Sequence, residues 1–167
     1  MRWRLALAAI LGISLTAASV IATRSGSDGR ERPVVLAASL ADSAVRVRVP
    51  AALQPTVLVF FASWCGRCGA ELVHAQYVHQ RMGERVTFIG VNFSDQRSSA
   101  LDLLELEEVS FPAVGDRSGG IAARFGVVGM PSTVYVDAAG RVVGRVHGLD
   151  TRMIHNIRRY LGVTPVQ

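Results

Sequence analysis

The chain has 167 residues, half of them hydrophobic, enough for one domain with a real core and short for two of ordinary size. Its formal charge of +5 comes from 18 basic residues, every one an arginine, against 13 acids. Arg2, Arg4 and Arg24 supply much of the excess, and the rest are scattered without the basic and aromatic interleaving of a nucleic-acid surface, so no nucleic-acid partner is expected.

Arg2 and Arg4 precede an uncharged run at residues 5–22, closed by Thr23 and Arg24, which is the layout of an export signal. The run is long enough to span a bilayer as a helix, while Ala18 and Ala22 are small enough to permit cleavage. Residues 1–24 therefore read as a signal peptide or signal anchor. The positive flank favours a cytoplasmic N-terminus, which puts everything after Arg24 on the outer face. The expected location is extracytoplasmic, held at the cytoplasmic membrane by the N-terminal helix or secreted after cleavage. Residues 25–32 are Ser, Gly, Asp, Glu and Arg, a composition that buries too little to fold alone. Residues 25–44 are thus expected to be a tether, and 45–167 the folded domain.

Val45, Val47 and Val49 alternate with Arg46 and Arg48, the period of a half-exposed strand before the break at Pro50. Residues 56–62 form an unbroken apolar, β-prone run suited to a strand buried on both faces. Residues 65–82 contain no proline and space Leu72, Ala75, Gln76, Val78 and His79 as a helix does, until Gly83 ends it. Residues 86–93 read as a second buried strand and 98–108 as a helix, making a βαβ unit. A short helix at 120–125, strands at 132–136 and 141–147 joined through Asp137 to Gly140, and a last helix capped by Asp150 and running to Leu161 complete the reading. The expected class is α/β, a mixed central sheet flanked by helices.

Only two cysteines occur, three positions apart, so there is no disulfide framework of the kind that staples small secreted domains, and the pair reads as chemistry. Cys65 and Cys68 fall where a buried strand gives way to a helix, so the positive helix end favours a thiolate at the first sulfur. A three-residue offset also lets the second thiol close a disulfide with the first. Arg67, between them, can stabilise the thiolate and can pair with Glu71 at i,i+4 on the helix surface, and the two readings are compatible. The pair could instead be half of a zinc site completed by His74 and His79, but neither has a familiar ligand spacing, and no metal or other cofactor is expected.

The segment Phe60-Phe61-Ala62-Ser63-Trp64-Cys65-Gly66-Arg67-Cys68 resembles the active-site segment of the thioredoxin superfamily. Gly129-Met130-Pro131-Ser132-Thr133 is similar to the loop in which that superfamily carries a cis proline facing the disulfide. Glu71, an added helical stretch at 98–125 with Ser110-Phe111-Pro112, and the leading apolar segment most resemble the TlpA/ResA-like branch of exported thiol-disulfide oxidoreductases, which includes the cytochrome c maturation thioredoxins. The likeness covers residues 45–162 and implies a thioredoxin fold, catalysis by Cys65 and Cys68, and support from Trp64, Gly66, Arg67 and Glu71. It implies substrate binding along the backbone of Met130 beside cis Pro131. Glu71 matches a glutamate that in this branch modulates thiol acidity. Arg67 and Val73 replace prolines common in the pattern, and Val59 stands where thioredoxins keep a buried aspartate, leaving proton transfer to water, Glu71 or the thiols.

The leading expectation is a reductase of cysteine-containing exported proteins, apocytochrome c among them, fed by a membrane partner with its own dithiol. An oxidant that introduces disulfides, accepting electrons the other way, stands beside it, with Arg67 leaning toward that reading. A metal-binding or adaptor module and a peroxidase are less favoured, since both cysteines are intact and no Thr-x-x-Cys arrangement is present.

Overall fold

β-Branched and aromatic residues in runs, punctuated by turn residues, produce seven strands and four helices in residues 33–166, which the computed structural model describes. The expected signal segment, and the first part of the expected tether, lie outside the described residues. No helix among the described residues is long and apolar enough to cross a membrane.

A five-stranded sheet in the order β5-β4-β3-β6-β7 organises the domain. At its centre β3 (Thr56–Phe61) has every residue buried, as an uninterrupted apolar run requires when both faces of a sheet are covered. β4 (Thr87–Phe93) runs parallel to β3 in the register Val59 to Gly90, and β5 (Ala113–Asp116) runs parallel to β4. β6 (Ser132–Val136) and β7 (Val142–His147) add antiparallel on the other side. Their hairpin is closed by Asp137, whose Oδ1 accepts the Ala139 and Arg141 amides at 2.9 Å each, with Gly140 supplying a φ of 79°.

Alternation along β3 divides the core in two. Val57, Val59 and Phe61 face α1 (Cys68–Met82) and α4 (Met153–Leu161), whose Leu72, Ala75, Val78, Met153 and Ile157 are buried against them. Leu58 and Phe60 face the opposite layer, packing with Ile121 and Phe125 around α3 (Gly120–Arg124) and with Ala37 and Val49. Each such side chain contributes roughly 1.5–3 kcal/mol on burial, so the central strand is a rigid support for whatever follows it.

Three expectations need correction. The second half of the expected tether is folded: β1 (Val35–Ala38) pairs antiparallel with β2 (Arg46–Val49), and Leu40 is buried. Alanine and valine beside a polar linker look featureless in sequence, yet Ala37 fits the core and the alternation of β2 needs a partner. The stretch at 98–125 is not wholly helical, because β5 follows α2 (Arg97–Leu106) and borders β4. Asp150 is not the cap of α4. It is buried, its Oδ1 accepts the Arg152 amide and Asn156 Nδ2, and its Oδ2 accepts the Tyr135 hydroxyl, while Arg152 occupies the cap position with no side-chain bond.

Candidate active site

The chain leaves buried β3 at Phe61, turns at Ala62 to Arg67, and enters α1 at Cys68. The Cys65 amide bonds to the Ala62 carbonyl at 3.2 Å and the Cys68 amide to the Cys65 carbonyl at 3.0 Å, so two successive tight turns wrap the motif. Cys65 therefore precedes α1 rather than lying within it, and Cys68 is the helix's first residue. The two are joined as a disulfide with a Cα–Cα distance of 5.4 Å. Arg67 is the N-cap and makes no side-chain capping bond, which leaves the positive end of α1 uncapped beside the bonded sulfurs.

Burial separates the cysteines: Cys68 is fully buried while Cys65 is partly exposed, with Gly66 and Arg67 exposed between them. Only Cys65 can be approached from outside. Trp64 is 59% exposed, yet it is fixed in place by an indole Nε1–H bond to the Ser94 carbonyl at 3.1 Å and an edge contact with Phe93. Gly66 has nothing within 4 Å of where a Cβ would sit, so the tip of the loop is open to a partner.

Glu71 lies one helical turn past Cys68, which places the two side chains roughly 5–6 Å apart at their Cβ atoms. Sequence alone allowed it to pair with Arg67 on the surface. Instead it is only 1% exposed: Oε1 accepts the Thr133 hydroxyl at 2.6 Å and Oε2 the Asp150 amide at 2.9 Å. Burial pushes its carboxyl above the ordinary value of 4.5; the two hydrogen bonds oppose that, nearby Asp150 reinforces it, and His74 pulls the other way. Thr133 is the cross-strand partner of Val59, so the carboxylate ends beside the position where the thioredoxins that this segment resembles keep a buried acid. A cleft of about 380 Å³ lined by Ala70, Glu71, His74, Leu149, Asp150 and Thr151 gives solvent a route toward this group.

Because β6 is antiparallel to β3, its start lies at the end of β3 that leads into the cysteines, with Ser132 opposite Phe60. The Met130–Pro131 peptide just before it is cis. Pro131 is buried, its carbonyl accepts the Gly148 amide at 2.8 Å, and Met130 is half-buried against the core that holds Cys68. Met130 lies outside the strands, and no backbone hydrogen bond among the described residues uses its N–H or C=O.

One polar cluster beside the site escaped sequence reading. Asp95 accepts the Ser63 amide at 2.6 Å, the Ser63 hydroxyl at 2.7 Å, Asn92 Nδ2 at 2.9 Å and the Gln96 amide at 2.8 Å. Partial burial alone would raise its pKa, but these donors outweigh it and hold the carboxyl below 3.8. It ties the loop after β4 to the lead-in of the cysteine motif. The available signal was its place just after a buried strand, where loops carry function. His79, weighed as a metal ligand, instead packs between Phe88 and Phe111 with ring centroids 5.3 and 5.7 Å away.

A mixed sheet with a cysteine pair at the β3–α1 junction and a cis proline before β6 is a thioredoxin-like fold, and its site is that of an oxidoreductase domain. The chain belongs to the AhpC/TSA family, whose model matches residues 29–145. It is 34% identical over 88 residues to the thiol:disulfide interchange protein DsbE of Vibrio cholerae, covering 52% of this chain and 46% of the relative. It is 24% identical over 110 residues to the thiol-disulfide oxidoreductase ResA of Bacillus thuringiensis, covering 65% and 62%. The chain thus spans about half the length of the first relative and under two thirds of the second. Among solved structures, MTB DsbF in its mixed oxidized and reduced forms superposes with a TM-score of 0.66 at 27% identity, covering 77% of this chain and 92% of that one.

Proposed function

We propose that this protein is an extracytoplasmic thiol-disulfide reductase of exported proteins, held at the cytoplasmic membrane by its N-terminal segment. The Cys65 thiolate attacks one sulfur of a substrate disulfide, forming a mixed disulfide and releasing the first substrate thiolate, which takes a proton. Cys68, its proton passed to Glu71, then attacks Cys65 Sγ and expels the second substrate thiolate. The substrate gains two electrons, and the pair ends as the Cys65–Cys68 disulfide. A membrane partner with its own dithiol restores it by the reverse exchange.

Buried Glu71, one turn from buried Cys68, is the observation that carries the direction. A thiolate at Cys68 meets both desolvation and a neighbouring carboxylate, so the reduced pair gains little from ionising and gives up its electrons more readily. The free backbone of Met130 beside Pro131 supports docking of the substrate as a short antiparallel strand, read through its main chain. The resemblance to cytochrome c maturation thioredoxins makes apocytochrome c the first substrate to assay.

Exposed Arg67 favours a second reading, an oxidant, because a fixed cation between the sulfurs stabilises thiolates. Acid quenching of living cells followed by maleimide mass-tagging of Cys65 and Cys68 separates the two. A mostly reduced pair is expected of the donor-fed reductase. A mostly oxidised pair would reverse the assignment.

A further inference from the structure

Just past the end of β1 the chain is joined to β5 by the Ser39–Val114 bridge and by the Leu40 amide on the Ala113 carbonyl at 2.8 Å. A groove of about 560 Å³ is lined on one side by residues 35–38 of β1 and on the other by residues 115–118. Arg46, Arg117 and Arg124 line it, all exposed and with no side-chain hydrogen bond or ion pair among the described residues; Leu36, 67% exposed, adds apolar surface on the same wall. The groove's one acid, Asp116, is buried and turned inward, its oxygens accepting the Ile121 amide at 3.0 Å and the Ala122 amide at 2.8 Å. Its charge offsets part of the positive field but offers no free oxygen to the arginines.

Arg117 also borders a second cleft, of about 280 Å³, formed with Trp64, Ser94, Asp95 and Gln96. The two clefts therefore adjoin at Arg117, and the path ends at the tryptophan next to Cys65. Here too the acid is spent, since Asp95 holds Ser63, Asn92 and Gln96. Three guanidinium groups with no partner among the described residues, lining two clefts that share Arg117 and reach Trp64, the sequence neighbour of Cys65, complement carboxylates on an incoming chain.

We infer that this groove docks an extended acidic segment of the partner protein, adjacent in sequence to the cysteine presented to Cys65. This rests on the exchange chemistry proposed above and adds the partner's character: acidic side chains spaced for Arg117, Arg124 and Arg46, with an apolar residue over Leu36. Charges at such a rim act mainly on association rate and fade with salt.

The test uses the full chain, reduced, against three disulfide-bonded peptides that differ only in flanks of Glu, Gln or Lys, with rates taken at low and at high ionic strength. The expected ratio of Glu-flanked to Gln-flanked second-order rates is about tenfold at low salt, falling toward one at high salt. In the R46Q/R117Q/R124Q variant, where only exposed side chains change, the ratio falls toward one at low salt as well. Equal rates for all three peptides, or a preference that survives in the variant, would overturn the inference. If no disulfide reacts, the exchange reading fails by itself. Equilibrium binding of the Glu-flanked peptide with serines in place of cysteines then decides the groove: salt-sensitive binding lost in the variant sustains it, and no binding refutes it.

Discussion

Replacing Glu71 by Gln removes a buried negative charge while keeping the shape of the site. The amide oxygen can accept the Asp150 amide, and its nitrogen can donate to Thr133 once that hydroxyl turns, so both bonds of the carboxylate have replacements. For unit charges roughly 6 Å apart at an effective dielectric constant of about 20, the repulsion between an ionised Glu71 and a Cys68 thiolate is about 2.8 kcal/mol. That corresponds to about 2 pH units on the thiol, and to a rise in reduction potential of at most about 60 mV where the variant's thiol is ionised and the original's is not. Thiolate absorbance against pH and equilibration with a glutathione buffer read the two quantities. The same substitution tests stability in the disulfide form. Glu71 has a folded pKa above 4.5, so the folded state binds more protons than the unfolded one, and stability falls as pH rises from 4.5 through the folded value. Glu71→Gln removes that decline and is more stable than the original at neutral pH. Thiol titration and potential both unmoved, the latter within about 10 mV, would refute the assigned role.

Asp95→Ala leaves the Ser63 and Gln96 amides without their acceptor and is expected to cost about 1–3 kcal/mol in urea unfolding, with a red shift of Trp64 emission as its loop loosens. Because the folded pKa of Asp95 lies below 3.8, its contribution is full above that pH and is lost as pH falls through the folded value, so the variant shows a flatter acid limb; an unchanged one would count against the clamp. Gly90→Ala puts a methyl 3.0 Å from Ala113 Cβ and 3.1 Å from the Phe61 ring, between two buried strands, and is expected to destabilise by about 1–3 kcal/mol. A denaturation midpoint unchanged from the original would show that β4 and β5 are packed less tightly than described.

The thioredoxin-like core was legible because its signals are local. The run at 56–62, the helical spacing after Cys68, the Asp137 to Gly140 turn and the two motifs each determine their own element, and the elements fell within one to three residues of expectation. What was missed depends on tertiary partners. β5 is four residues, Ala-Val-Gly-Asp, too short to show alternation, and it is a strand because β4 offers an open edge. Val35–Ala38 is a strand because β2 lies opposite it. At the site, residue types were readable but their environments were not. Nothing in the spacing of Glu71 from Arg67 says that the side chain turns inward to Thr133 on a strand 62 positions away. Asp150 has the composition of a cap, and only the packing of α4 against β6 makes it a buried acceptor for Tyr135. Asp95 carries no motif, and its meaning comes from Ser63, 32 positions earlier.

The division of labour between one accessible and one buried cysteine is tested most directly by single serine substitutions in the full chain, with mixed disulfides captured from cells. Cys68→Ser is expected to accumulate covalent adducts with exported proteins, released by reductant and linked through Cys65, while Cys65→Ser yields none and catalyses no exchange. Adducts or turnover persisting in Cys65→Ser would contradict the account.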